Sequence, residues 1–369
     1  MASGMRALLP PYLARVYERI YNAIPFESGN YPYVTARVRA KKSLLLPVDA
    51  YERMLRMEIA EIARFLGEGA YKAEVLELGT TLRGVDLIET ATTRSMARVF
   101  NQIIGFSEGE LRTMIGLYLD RFDVSNVTTI VRAKTFGATA QEVREDLVPA
   151  GSMSESDLAR LMEAPSIDEV FDRLEGTIYA QALAALGTSA SKVERWSEWE
   201  DLVTMLYYEN LLSAIPYRTA GTRLMREFVR REIDLVNLRT LLRLWASGTK
   251  LERDPYIDGG LEIPKGELAA MVALDEATLA ERLRRYPVAA DLAVRLKELR
   301  ALGVGRLIRQ VEKILLLTAG KQAHVHPLSV LPVLDYVVRK FREVQNIRII
   351  ARGKESGLAP DVMRDLLVV

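Results

Sequence analysis

The sequence predicts an all-α protein made of three similar units, and three observations predict it. One phrase, acid-x-x-Asn-x-x-x-x-x-Arg-x-x-x-x-Gly, occurs three times: as Asp123, Asn126, Arg132 and Gly137; as Asp234, Asn237, Arg243 and Gly248; and as Glu343, Asn346, Arg352 and Gly357. Successive asparagines lie 111 and 109 residues apart. A solenoid repeats every 20–50 residues or so, so this period is that of a whole domain duplicated and fused. The remaining sequence is rich in Ala, Leu, Arg and Glu at helical spacing, and strand-like alternation is hard to find. Near-threefold scaffolds of this kind suit the binding of something on their axis better than catalysis.

Each copy of the phrase reads as one amphipathic helix. Counting from the acid, positions +1, +4, +7 and +8 are Val124, Val127, Ile130 and Val131 in the first copy. The second gives Leu235, Leu238, Leu241 and Leu242, and the third Val344, Ile347, Ile350 and Ala351. At roughly 100° per residue these share one face about 120° wide. The acid and Asn, three apart, are neighbours at the edge of that face, while the Arg falls on the opposite side. The Gly stands where a helix ends in a left-handed residue. The acid and Asn can fix packing by capping or bridging to a neighbouring helix, a role favoured over ligand binding. The arginines can equally form salt bridges between units or contact a partner.

A fainter relative lies near the start. Val34, Val38, Arg39, Ala40 and Lys41 resemble Val127, Val131, Arg132, Ala133 and Lys134, with Tyr33 in place of the Asn. Leu45-Leu46-Pro47 then echoes Leu147-Val148-Pro149. These landmarks divide the chain into an N-terminal extension (1–30), unit 1 (31–122), unit 2 (123–232) and unit 3 (233–369) with its closing C-terminal helices. Along the chain, helices are expected over 49–67, 85–104, 154–186, 198–214, 218–247, 275–301 and 304–319. Breaks fall at Pro47, Gly67–Gly69, Gly105, Pro149–Gly151, Gly187–Ser191, Asp254–Pro264 and His326–Pro327. Trp196 and Trp199, with Tyr207 and Tyr208 nearby, place an aromatic group on one helix, suited either to an interface or to burial between bundles.

Composition narrows the function. With 50 Lys and Arg against 49 Asp and Glu, the net charge is +1, which argues against nucleic acid as a partner. There is no cysteine, which excludes disulfides and thiolate chemistry. No apolar run approaches the roughly 18 residues of a membrane span, and Arg15, Glu18 and Arg19 interrupt the N-terminal apolar pattern of any signal peptide. The glycine-rich phosphate loop, the dinucleotide fingerprint and the nucleophile elbow are all absent. The two histidines, His324 and His326, lack a third Cys or His ligand, so a solvated linker is the better reading than a metal site. No catalytic residue, cofactor or metal is expected.

Three segments carry a family resemblance: Asn30-Tyr31-Pro32-Tyr33-Val34-Thr35-Ala36-Arg37-Val38-Arg39-Ala40, the run Glu232–Arg243, and Asn346–Lys354. Together they resemble the C subunit of archaeal-type (A/V-type) rotary ATP synthases, a family that includes the d subunit of the vacuolar ATPase. The resemblance runs from about residue 30 to the C-terminus. It implies three similar helical bundles around a pseudo-threefold axis, forming a funnel with a central socket. It further implies a non-catalytic, peripheral subunit, one copy per complex and monomeric when isolated, at the cytoplasmic face of the membrane. There it would link the D and F subunits of the central stalk to the proteolipid ring and transmit torque. Tyr33 departs from the repeated pattern, which suits a socket gripping an asymmetric axle. The competing reading is a helical-repeat scaffold for an unrelated helical partner.

Overall fold

The computed structural model describes residues 29–138, 143–144, 146–248, 254–301 and 303–369, so the expected extension 1–30 lies almost wholly outside the described residues. Among the described residues the protein is all-α, its helices joined by turns and irregular loops, and contains no strand. The chain divides into two compact units. One holds the described residues up to Val34 together with Thr90–Thr222, and the other holds Thr35–Glu89 together with Arg223–Val369.

In the first unit, the helices Gly109–Leu119 and Arg121–Phe136 are followed by three short ones, Glu155–Met162, Ile167–Arg173 and Ile178–Leu186, and then by the long Trp196–Ala214. The expected helix over 154–186 is thus three helices, because its sequence carries internal start signals. The Ser154 hydroxyl accepts from the Asp157 amide while the Asp157 carboxylate accepts from the Ser154 amide, a reciprocal cap. The Ser166 hydroxyl accepts from the Glu169 amide. Val127, Ile130 and Val131 pack with Phe171, Tyr179 and Trp199 into one core. Trp199 is fully buried and its Nε1 donates to the Tyr179 carbonyl at 3.1 Å. Trp196 stacks on Phe171. The aromatic group is therefore core of this unit.

Two cores in the second unit are built on copies of the phrase. One gathers Leu235, Leu238, Leu241 and Leu242 with Leu268, Leu279, Leu292 and Leu307. Burying a leucine fully stabilises by about 1.5–3 kcal/mol relative to exposure, so this stripe alone fixes the helix Ala220–Ser247 in place. The other core joins Ile347, Ile350 and Ala351 of the helix Leu331–Glu355 to Tyr51, Met54, Ile62, Tyr71 and Ile88, far earlier in the chain. Each copy of the phrase thus seeds its own core. The expected helix 49–67 is split into Val48–Met54 and Ile59–Gly67, the second opened by Glu61 accepting from the Glu58 amide. The expected 275–301 is interrupted at Tyr286-Pro287, where proline disfavours a helical residue before it. The helices expected to end at 319 and 104 run instead to Val325 and Phe106.

Candidate functional site

The three phrases build the same device three times. In each, the Asn side-chain amide pairs with both backbone groups of a single residue further along the chain. Asn126 Nδ2 donates to the Val148 carbonyl and its Oδ1 accepts from the Val148 amide, both at 2.8 Å and 22 residues away. Asn237 does the same with Ile257 at 2.8 Å, 20 residues away. Asn346 holds Val368 at 2.9 and 3.1 Å, again 22 residues away. A primary amide presents one donor and one acceptor side by side, so it satisfies a loop residue as a neighbouring strand would.

The acids work beside them. Asp123 Oδ2 accepts from the Ser152 amide and hydroxyl and from the Met153 amide, at 2.7–3.0 Å. Asp234 accepts from three consecutive amides, Leu261, Glu262 and Ile263, at 2.9–3.2 Å. Burial pushes the Asp234 carboxyl above its ordinary range, with the three amides pulling the other way. The partner is thus an irregular loop, where the sequence alone suggested a neighbouring helix. Both loops contain a glycine at the point of closest approach. A Cβ at Gly151 or at Gly260 would overlap the carboxylate of Asp123 or Asp234, closer than any packed carbon can come. Gly260→Ala is expected to destabilise by about 1–3 kcal/mol through that overlap, read as a lowered Tm of the purified chain. A Tm equal to the parent's would mean that the carboxylate does not need its place.

The third copy differs in its acid. Glu343 is held by donors from distant parts of the chain and from its own helix. Its Oε2 accepts from the Leu46 amide at 2.5 Å, and its Oε1 from Tyr71 Oη at 2.6 Å and Lys340 Nζ at 2.8 Å. Lys340 also lies 4.0 Å from the Tyr71 ring centroid. Lys340 and Glu343 are each only 3% exposed, and burial pushes the Tyr71 hydroxyl up. Lys340 and Tyr71 escaped sequence reasoning: a lysine three residues before a glutamate reads as an ordinary surface pair.

The arginines do not share one environment. Arg132 forks onto both oxygens of Glu200 at 2.5 Å, and that hydrogen bonding raises its affinity for the proton. Arg352 forks onto Glu89 at 2.7–2.8 Å and reaches Glu355 at 3.0 Å. Arg243 is exposed. The glycines behave as expected: Gly137, Gly248 and Gly357 have φ of 74°, 65° and 70°, the left-handed conformation in which a side chain is strained. In the fainter first helix, Val34 and Val38 are buried while Tyr33 is half exposed, edge-on to Phe106. His324 sits in the last turn of Val304–Val325, and His326 caps it.

Chemically the constellation is a set of clasps. Each acid is occupied by backbone donors or a lysine, which leaves it fixed rather than poised for proton transfer. Among the described residues, no group of three or more His, Cys, Asp or Glu could hold a metal ion, and no helix is long and apolar enough to cross a membrane.

Comparison with known proteins gives the family. The ATP synthase (C/AC39) subunit family matches residues 34–366. The A-type ATP synthase C subunit of Methanococcoides burtonii is 37% identical over 347 residues, covering 93% of this chain and 95% of its own length. That of Haloferax volcanii is 39% identical over 345 residues, 92% of this chain and 98% of its own. That of Methanosarcina acetivorans is 34% identical over 371 residues, 96% and 99% respectively. With one family spanning almost all of its length, and relatives aligned end to end with it, the chain belongs to the ATP synthase (C/AC39) subunit family.

Proposed function

We propose that this protein is the non-catalytic adaptor of an A/V-type ATP synthase rotor, joining the D and F subunits of the central stalk to the membrane proteolipid ring and passing torque between them. The observation that carries the reading is the likeness to A-type ATP synthase C subunits over 92–96% of the chain. The physical character of the clasps supports it. A part that transmits torque must keep its loops from yielding, and each motif helix spends its polar corner pinning a loop. A core seeded by each copy of the phrase favours three similar units arranged about a socket, with the core of the third copy shared between the expected units 31–122 and 233–369. The protein is peripheral, on the cytoplasmic face of the membrane.

Co-expression with its stalk and ring partners tests the proposal. The tagged chain should bring down D and F together with the ring, and the chain alone should show no ATPase activity. Capture of neither partner, or turnover by the chain alone, overturns it. The arginines give a finer test. Arg132 and Arg352 have side chains 58% and 51% exposed, and Glu89 retains Arg348 at 3.1 Å when Arg352 is lost. The Arg132–Glu200 pair, 58% and 21% exposed, contributes about 0–1 kcal/mol, and buried Glu89 keeps Arg348 as its cation, so Arg132→Gln, Arg243→Gln and Arg352→Gln together should leave a folded protein. If they face the axle, D and F capture falls. Full capture by the triple variant removes them from the interface.

A further inference from the structure

A cavity of about 410 Å³ opens where the helices Tyr31–Lys42, Val304–Val325 and Leu331–Glu355 meet. Its charge is one-sided. Arg39, Lys42, Lys321 and Arg339 line it against a single carboxylate, Asp335, with His324 at the edge. Four permanent cations facing one anion leave three positive charges uncompensated, in a chain whose net charge is only +1. The concentration is therefore local.

The cavity is also organised. Asp335 is 1% exposed and accepts from Lys42 Nζ at 2.5 Å and from Arg339 Nε at 2.7 Å. Arg339 is further tied by Nη2 to the Leu316 carbonyl at 3.2 Å. The helix Val304–Val325 has a glycine where this guanidinium passes, and a Cβ at Gly320 would lie 2.5 Å from Arg339 Nη2. Two cations are thus locked at the floor. Arg39 and Lys321 are exposed at the cavity and, among the described residues, their side chains form no hydrogen bond or ion pair. Leu317, 62% exposed, and Pro332 supply an apolar wall.

We propose that this cavity binds the phosphate groups of a phosphorylated ligand, with Arg39 and Lys321 as the free binding cations and Arg339 and Lys42 as the preset ones. A phosphate carries up to two charges and three strong acceptor oxygens, and guanidinium groups match it in a two-pronged fashion. A lone carboxylate would neutralise only one of the three excess charges. The apolar wall accommodates the body of the ligand. The same chemistry is offered by a nucleoside polyphosphate and by the headgroup of an anionic lipid.

Titration calorimetry of the full-length protein with pyrophosphate and with ATP tests the first source. Co-sedimentation with phosphatidylcholine vesicles containing phosphatidic acid tests the second. Arg39→Gln/Lys321→Gln is the variant, and Lys72→Gln/Lys192→Gln, both exposed and elsewhere, is the charge-matched control. All four side chains are exposed, so unchanged circular dichroism is expected throughout. Soluble phosphate binding weakened at least tenfold in the variant and not in the control assigns a free phosphorylated ligand. Vesicle binding lost only in the variant, without ATP or pyrophosphate binding, assigns a lipid headgroup. No binding of either kind, equal losses in variant and control, or retention of a glutamate-rich peptide with no phosphate binding overturns the proposal. None of these outcomes depends on assembly with stalk or ring.

Discussion

Replacing Lys340 with methionine is expected to lower the unfolding free energy by about 3–5 kcal/mol, because it strands a buried carboxylate. Lys340 and Glu343 are both 3% exposed, so water cannot screen the charge left behind. Glu343 would keep the Leu46 amide and the Tyr71 hydroxyl, but would lose the cation that makes its ionised form tolerable in that core. Adding Glu343→Gln to Lys340→Met removes the stranded charge; the single carbonyl oxygen of Gln can accept from the Leu46 amide while its NH2 group donates to the Tyr71 hydroxyl, which turns to accept. The double variant should recover more than half of the loss. Urea denaturation of the parent, single and double variants reads this directly. A double variant no more stable than the single one would show that packing of the lysine stem, and not charge, sets the cost.

Asp234→Ala is expected to cost about 2–4 kcal/mol, because the amides of Leu261, Glu262 and Ile263 lose their acceptor together. The cost stays below the full sum of three hydrogen bonds, since ionised Asp234 is itself held against a desolvation penalty that raises its pKa. Asp234→Asn should rescue less than half. Its amide keeps one acceptor but turns a donor toward amides that already donate. Hydrogen exchange gives the site-specific readout, with faster exchange at 261–263 and little change at the equivalent loop amides of 152–153. Uniform acceleration through the whole protein would point to global destabilisation instead of a released loop.

Much of this was legible in the sequence. The apolar stripes at +1, +4, +7 and +8 lie inward, as their period requires: Val127, Leu238 and Ile347 are each fully buried. The terminal glycines take the left-handed backbone expected of them, and the all-helical class follows from the same periodicity. What could not be read was the partner of each polar corner. An Asn clasping a backbone residue 20 or 22 positions away leaves no local period, because backbone groups are present at every position. Gly151 and Gly260 were the available signal, one glycine in the loop after each of the first two acids. They look like ordinary loop punctuation until the approaching carboxylate is seen. The long helical stretches were over-extended for a different reason. Periodicity ran through 154–186, while the short-range caps at Ser154 and Ser166, which divide it, compete only over a single turn. The basic cavity gathers residues from three helices distant in sequence, which no spacing rule reaches.

The bond between Glu343 and the Leu46 amide spans 297 positions, and the core beneath it joins Tyr51, Met54, Ile62 and Tyr71 to Ile347, Ile350 and Met363. Synthesis proceeds from the N-terminus at about 5–20 residues per second, so the early half of this core waits roughly 15–60 s for its other half to be made. Throughout that interval Tyr51, Met54 and Tyr71 have no lid. A nascent chain interrupted before its last helices therefore carries a built-in mark of incompleteness, an uncovered apolar surface near its beginning. Only synthesis through Ile347, Ile350 and Met363 can erase it.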